Sequence, residues 1–464
     1  MRRRFQCKAI PSSWLETEGR RLDCGPYMSG AIEARELLKK HRTVSLQNLC
    51  HDIYHTGREG RTYVVSAEHG VPFMGSTDIL AADLSYLPYI SKKQVAMTPK
   101  FILGEGWTLI TRSGTIGRMA YARSEMDGLA CSEHVMRVVP KESKIRQGYL
   151  YAYLSSKFGI PLVVSGTYGS IVQSIEPHHI ADLPVPRLGE LETRVHDFIQ
   201  QAADLLTQYQ ANINDATKLF FESVGLEDIS AAQWHSWGSD TGFLTTIKGI
   251  ESIRAVNFNP RFLKICDRMK QGHWKPLDEI CPASLKRGGR YRRIDAEPEH
   301  SYLMVGQKQI FWLRPEGRWI ARTCVNDEVI VEPGTTLIAG AGTLGESELY
   351  SRCEFIWGEA VKRAYSELFY RAMPDETIML KGALFAFLRS ETAFRMLRSI
   401  SYGSKLQYPH RDFLPNLPVP YPNKSTQKKI NALIIDGYEK KDRAIQLEDE
   451  ARTLVEHAIE EGCR

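Results

Sequence analysis

The sequence predicts a mixed α/β protein in which one globular unit occurs twice, each copy followed by a long helix. Three observations predict it. "YGSIVQSIEPHHIADLPVP" (residues 168–186) has a counterpart at an offset of 402 − 168 = 234, "YGSKLQYPHRDFLPNLPVP" (residues 402–420), and the two share Tyr, Gly, Ser, Gln and the whole Leu-Pro-Val-Pro tail. After each copy, apolar residues recur at three- and four-residue spacing over a long stretch, which marks a helix packed lengthwise against another. Within each copy, short runs rich in β-branched and aromatic residues end in glycine turns, as strands do.

In chain order, "TYVVSAEHGVPFMG" and "GWTLITRSGTIG" read as strands and residues 148–157 as a helix. "TTLIAGAGTLG" and residues 382–394 repeat that strand and helix in the second copy. At an offset of 228, "SGTIG" from Ser113 meets "AGTLG" from Ala341; at 231, "MGSTDI" from Met74 meets "VGQKQI" from Val305. At 234, Arg137, Pro140, Gly148, Leu150, Ala152, Leu154 and Ser156 meet Arg371, Pro374, Gly382, Leu384, Ala386, Leu388 and Ser390. Steps of three and six between these offsets are what loop insertions between shared elements produce.

The first helical seam runs through Leu191, Val195, Phe198, Ala202, Leu205, Tyr209, Ile213, Ala216 and Phe220. The second runs through Ile430, Ile434, Tyr438, Ile445, Ala451, Leu454 and Ala458. Pro184 and Pro186, like Pro418 and Pro420, bar helix and are expected to end strand pairing, holding the chain extended before each long helix. Ser425 is the expected cap of the second helix, with Lys428 leaving the capping box incomplete. The resulting boundaries are a globule over 1–189, a helix over 190–226, a globule over 227–424 and a helix over 425–464.

With 464 residues, 43% of them hydrophobic, the chain has apolar material for two or more cored domains. Nine cysteines occur without CxxC or Cys/His ligand spacing, and Cys50, His51 and His55 lack a second ligand pair, so no zinc site is expected. Scattered cysteines of odd number indicate a reducing compartment. "MRRRFQCKAIPSSW" lacks the apolar run of a signal peptide, and no apolar stretch is long enough to cross a bilayer; the expectation is a soluble cytoplasmic protein with no membrane partner.

Catalytic signatures are missing. "GAGTLG" (residues 340–345) matches the dinucleotide pattern GxGxxG, but its internal copy reads "RSGTIG", with Arg112 in place of the first glycine, so a tight turn between strands is expected. No Gly-Lys dipeptide provides a P-loop lysine, no Pro-Pro dipeptide provides the motif of an adenine methyltransferase, and GxSxG and HExxH are absent. His178 and His179 are replaced by Asp412 and Phe413 in the second copy. The chain is expected to be no enzyme on its own and to carry no cofactor.

The net charge of +5 is small, but it is concentrated. Residues 254–322 contain fifteen Lys/Arg against seven Asp/Glu. The densest part is "KRGGRYRR", with Lys286, Arg287, Arg290, Tyr291, Arg292 and Arg293 around two glycines; such a loop suits arginine contacts to phosphates and base edges, and is otherwise a solvated basic loop. The first copy reads "HTGREGRT" there, with Arg58 and Arg61. The repeated Tyr168, Ser170 and Gln173, and Tyr402, Ser404, Lys405 and Gln407, either position phosphates or form a structural turn. Two copies of one scaffold with different loop residues would read two different sequences, whereas two copies of an enzyme would keep the same polar residues.

These features together resemble the specificity subunit of type I restriction-modification enzymes. The resemblance rests on the opening segments "RLDCGPY" and "AVNFNPRF", the "VSLQNLC" and "KPLDEIC" segments, the glycine-bearing variable loop, "YGSxxQ", the "LPVP" stop and the long spacer helix, twice over. It implies two target-recognition domains separated by antiparallel coiled-coil spacer helices, each domain reading half of a bipartite double-stranded DNA target. It also implies two methyltransferase subunits that bring S-adenosylmethionine, and further motor-nuclease subunits that use ATP and Mg for restriction. A helix of about 35 residues is about 50 Å long, more than one turn of DNA at about 34 Å. The first spacer departs from the pattern: "ELETRV" stands where the second has "STQKKI" with Gln427. The alternative from a different class is a protein-assembly scaffold that reads no DNA.

Overall fold

Matching strings establish a duplication only if the matched residues also pair alike. The computed structural model describes residues 7–17, 20, 24–165, 174–247, 251–326 and 329–462. The chain forms two compact units: one from Met1–Leu80, Tyr89–Thr207 and Arg443–Arg464, the other from Ala81–Pro88 and Gln208–Asp442.

The first unit is mixed α/β. Its strands are β1 (Thr43–Ser45), β2 (Cys50–Tyr54), β3 (Tyr63–Val64), β4 (Gly70–Met74), β5 (Tyr89–Ser91), β6 (Thr108–Thr111), β7 (Met119–Tyr121), β8 (Ala130–Cys131), β9 (Val135–Pro140) and β10 (Pro184–Pro186). They form sheets in the orders β2-β9-β6-β7 and β3-β5-β4-β8, with β1 and β10 as a separate pair.

The second unit repeats this plan. Its strands are β11 (Trp274–Pro276), β12 (Lys286–Arg287), β13 (Ser301–Val305), β14 (Gly317–Ala321), β15 (Thr336–Ala339), β16 (Cys353–Phe355), β17 (Ala364–Tyr365), β18 (Phe369–Ala372), β19 (Ser401–Tyr402), β20 (Tyr408–Pro409) and β21 (Pro418–Pro420). The sheets are ordered β12-β18-β15-β16 and β14-β13-β17, with β11-β21 as the separate pair and β19-β20 as a hairpin.

The registers coincide. Thr108 stands opposite Val138 and Tyr121. Thr336, its counterpart at the offset of 228, stands opposite Ala372 and Phe355, the counterparts of those two partners at the offset of 234. The parallel pair Phe73 with Ala130 recurs as Met304 with Ala364, at offsets of 231 and 234. A one-residue slip would turn every side chain to the other face, so agreement at single-residue level means that the two cores are built on one scaffold.

The prolines correct an expectation. Pro-Val-Pro does not end pairing; it is itself a strand, with Val185 opposite Val44 and Val419 opposite Lys275. Ladder bonds flank the register, from Leu46 N–H to the Leu183 carbonyl at 3.0 Å and from Arg187 N–H to the Arg42 carbonyl at 2.9 Å. Hydrogen-bonded pairs alternate with unbonded ones along an antiparallel ladder, so Pro184 and Pro186 fall where no N–H is needed. Their carbonyls are used instead: the hydroxyls of Tyr149 and Tyr153, four residues apart on the buried helix Gln147–Leu154, donate to Pro186 (2.5 Å) and Pro184 respectively.

Both long helices form, over Leu191–Ser223 and Lys424–Glu461. In the first seam Phe198 and Leu205 are only half-buried, while their neighbours Ile199 and Leu206 take the buried places, because a 3.6-residue helix drifts against a strict heptad. In the second unit Tyr209 packs edge-on against Tyr438 and the Asn212 amide donates to Asp436 at 2.6 Å, so the helices run antiparallel there. The second helix is capped by Asn423, whose side chain accepts from Thr426 N–H at 2.9 Å, and not by Ser425. Gln427 is fully buried, accepting from Leu380 N–H at 3.1 Å and donating to the Pro422 carbonyl at 2.8 Å. The helix expected over 382–394 is two helices, Lys381–Leu388 and Glu391–Ser399, because Ser390 caps the second by accepting from Ala393 N–H at 3.0 Å.

The segment Ala81–Pro88 belongs to the second unit although its sequence neighbours on both sides belong to the first. Asp83 pairs with Arg389 at 2.8 Å, Gln210 donates to Asp83 at 3.0 Å, and Tyr86 donates its hydroxyl to the Arg389 carbonyl. Arg352 lies over the Tyr86 ring at 3.9 Å. Loss of hydration would raise the Asp83 pKa, but the charge of Arg389 and hydrogen bonds from Arg389, Ser85 and Gln210 outweigh it and hold the carboxyl at about 2.

Candidate nucleic-acid interface

In the second unit the basic loop starts on edge strand β12 and meets the segment that begins at Tyr402. Arg287 donates Nε–H to the Glu367 carbonyl at 3.1 Å and lies over the Tyr408 ring at 5.2 Å. Tyr408 packs against Tyr402, ring centroids 5.7 Å apart. The two stretches singled out separately in the sequence therefore form one surface, joined by an arginine–tyrosine contact.

The loop cations divide into two kinds. Arg293 pairs with Glu367 at 2.5 Å and lies 5.8 Å from the centroid of Tyr291. Burial opposes ionisation of Glu367, yet hydrogen bonding and the charges of Arg293 and Arg287 pull its pKa below the ordinary value. Tyr291 is half-buried, and burial raises its pKa. Lys286, Arg290 and Arg292 are exposed, as are Ser404 and Lys405, and among the described residues no carboxylate pairs with these four cations. Those cations are free for phosphate; Arg287 and Arg293 are held in place by the protein.

Gln407 is turned into the protein. It is 4% exposed, its side chain donates to the Ser404 carbonyl, and its backbone exchanges hydrogen bonds with Gly342 at 2.7 and 3.2 Å. It holds the turn and does not face a ligand. The same contact explains "GAGTLG": Gly340 N–H donates to the Leu368 carbonyl, Ala341 N–H to the Gln307 side chain and Gly342 N–H to the Gln407 carbonyl. With those amides occupied and antiparallel β16 following, the stretch is a turn between strands and no pyrophosphate cradle.

The first unit has the same turn-to-segment bridge, Ser113 with Ser174, against Gly342 with Gln407 in the second. Tyr168, Ser170 and Gln173 lie outside the described residues. Arg58 is exposed, while Arg61 is committed to Glu133 at 2.7 Å and lies over Phe73 at 5.1 Å. Burial raises the Glu133 pKa, but the hydrogen bond from Arg61 reverses the balance and the net shift is downward.

Beside the bridge stands a cluster that the sequence reading missed. Buried Arg112 donates to the Ile175 carbonyl at 3.0 Å and pairs with Glu176, whose other oxygen meets His55 Nε2 at 2.8 Å. Ser113 Oγ lies 2.6 Å from His134 Nδ1. His179 accepts from Glu176 N–H at 3.0 Å, a helix cap; burial first, then His178, lowers its pKa. The second copy puts Gly340 opposite Arg112 and His410 opposite Glu176, so the difference between copies was the signal that could have found this cluster.

Among the described residues no group of His, Cys, Asp and Glu could hold a metal ion, and no helix is long and apolar enough to cross a membrane. No protein-family model matches the chain, and no curated protein matches it. Solved structures similar to it include a type I restriction-modification S subunit from M. genitalium, at 12% identity over 90% of this chain and 94% of that one, with a TM-score of 0.36. The HsdS subunit from Thermoanaerobacter tengcongensis aligns at 13% identity over 91% and 96%, TM-score 0.27. A chain from work on complex assembly and conformational transition of the type I R-M system aligns at 12% over 90% and 97%, TM-score 0.26. Superpositions this loose carry no argument about function.

Proposed function

We propose that the chain is the DNA sequence-recognition subunit of a type I restriction-modification complex, with each unit reading one half of a bipartite target. The observation that carries this reading is one scaffold, built twice in the same register, that presents different polar residues at the same bridge. Arginine, lysine and tyrosine stand there in the second unit, and His55, Arg112, Glu176 and His134 in the first. Duplicated catalysis would repeat its polar groups; duplicated reading of two sequences changes them.

In this reading the chain performs no chemistry. Two methyltransferase subunits supply S-adenosylmethionine and adenine N6 methylation, and motor-nuclease subunits, where present, supply ATP- and Mg-dependent restriction. Helices of 33 and 38 residues, about 50 and 57 Å long, exceed one turn of DNA and suit a ruler between half-sites. The eight described cysteines are all free thiols, in keeping with work in the cytoplasm.

The test is to co-express the chain with its cognate methyltransferase subunit in a methylation-free host and to map modified adenines by single-molecule sequencing. A bipartite motif with a fixed gap is the expected result. An intact complex supplied with S-adenosylmethionine that leaves DNA unmodified would favour the protein-assembly scaffold.

A further inference from the structure

We propose that the hairpin β19-β20 is an apolar wedge that presses Leu406 and Tyr402 against the bases of duplex DNA while neighbouring cations hold the phosphates. This rests on the DNA-reading function proposed above and assigns to this hairpin a contact made with bases. Leu406 and Tyr402 are each 45% exposed at the end of the hairpin.

A single exposed leucine is ordinary. This one is on an immobilised support. The Ser401 carbonyl accepts from Asn257 at 3.0 Å and Arg254 at 3.3 Å, and His410 N–H donates to the Ile400 carbonyl at 2.8 Å, so the base of the hairpin is fixed. The flank is fixed by the two backbone bonds between Gln407 and Gly342, and Arg287 covers the Tyr408 ring. The turn needs Gly403, at φ +107°, where a Cβ would come within 2.2 Å of the Leu406 carbonyl. Such rigidity on behalf of an exposed leucine and tyrosine implies that their position matters.

The charge around the tip selects the occupant. Lys405 is the exposed residue before Leu406, and Lys286, Arg290 and Arg292 are exposed on the loop that reaches this hairpin through Arg287 and Tyr408. A polyanion with apolar faces between its phosphates fits this pattern; duplex DNA offers one at every base step. Apolar side chains entering a groove unstack a step partially and kink the helix, giving sequence preference through the ease of deformation.

The test uses the full chain in complex with its methyltransferase subunit and a duplex enriched by that complex from a randomised library, with 2-aminopurine placed at successive steps. Leu406→Ala is expected to weaken binding about tenfold while leaving the salt slope unchanged, because an apolar contact releases no counterion. Lys405→Ala is expected to lower the log–log salt slope by about one. The wild type should raise 2-aminopurine fluorescence at one step, a signal lost in Leu406→Ala and Tyr402→Ala and kept in Tyr402→Phe. Both residues are exposed at the tip, and unchanged thermal melting will show that the variants fold. Wild-type affinity and fluorescence in both alanine variants would overturn the wedge, as would a fall in salt slope in Leu406→Ala, which would place the tip along the phosphates. Loss of methyltransferase capture with DNA binding intact would overturn it in favour of a protein-docking tip. Failure of the wild-type complex to enrich any duplex would instead overturn the DNA-reading function itself.

Discussion

Arg290 and Arg293 stand on one loop, a few positions apart, yet their surroundings give them different work. Arg290 and Arg292 are exposed without a carboxylate partner among the described residues, so each alanine substitution should lower the log–log salt slope of DNA binding by about one and leave melting unchanged. Arg293 is consumed by Glu367. Its alanine variant should change the slope little and should remove part of what keeps Glu367 ionised. Binding titrations across a salt series, with melting curves, separate the two cases. A second residue-scale expectation concerns Asp83. Replacing it with Asn leaves Arg389 without its carboxylate and should destabilise the fold by about 3 kcal/mol in denaturant titration. The sign with pH follows from its depressed pKa: the stabilisation is complete above its ordinary value of 3.8 and is lost as pH falls towards about 2. Asp83→Asn should flatten stability in that acid window and nowhere else. Neither role was legible in the sequence. "KRGGRYRR" shows charge, but which cations are free depends on Glu367, which lies beyond the next five strands of the chain, and Asp83 looks like any loop aspartate.

Elements defined by local pattern were readable, and those defined by pairing were not. The glycine turns, the helix at 148–157 and both long helices carry their signals within a few residues. Pro-Val-Pro does not, because proline in a strand is tolerated or excluded according to whether its position in the ladder needs an N–H, and that is set by the partner strand. The break at Ser390 was hidden for a related reason: serine within an apolar run reads as a tolerated helix residue until its side chain is seen to cap. The helix Gln147–Leu154 offers a test. Tyr149→Phe removes the donor to the Pro186 carbonyl and keeps the ring in the core, so it should cost about 1 kcal/mol in denaturant titration. The second copy has Ala383 and Phe387 where the first has Tyr149 and Tyr153, so these hydroxyl bonds belong to the first copy alone.

For the whole molecule, repetition was the most legible feature, since offsets of 228, 231 and 234 translate one set of registers into the other. What the offsets could not disclose is that the compact units do not follow the repeat boundaries: Ala81–Pro88 is spent on the second unit, and each long helix is divided between the two. A fragment spanning 208–442 should therefore melt at lower temperature and less cooperatively than the same fragment supplied with a peptide of residues 81–88. Calorimetry with and without the peptide, and with a peptide carrying Asp83→Asn as control, measures this directly. The segment Ala81–Pro88 also bears on inheritance. On the proposed function, a recombination event that replaces the first half of the gene would alter what the first unit reads and would also deliver a new octapeptide to the resident second unit. Halves exchanged in this way would have to agree on that octapeptide, which would make the segment a compatibility code for the halves that can be combined.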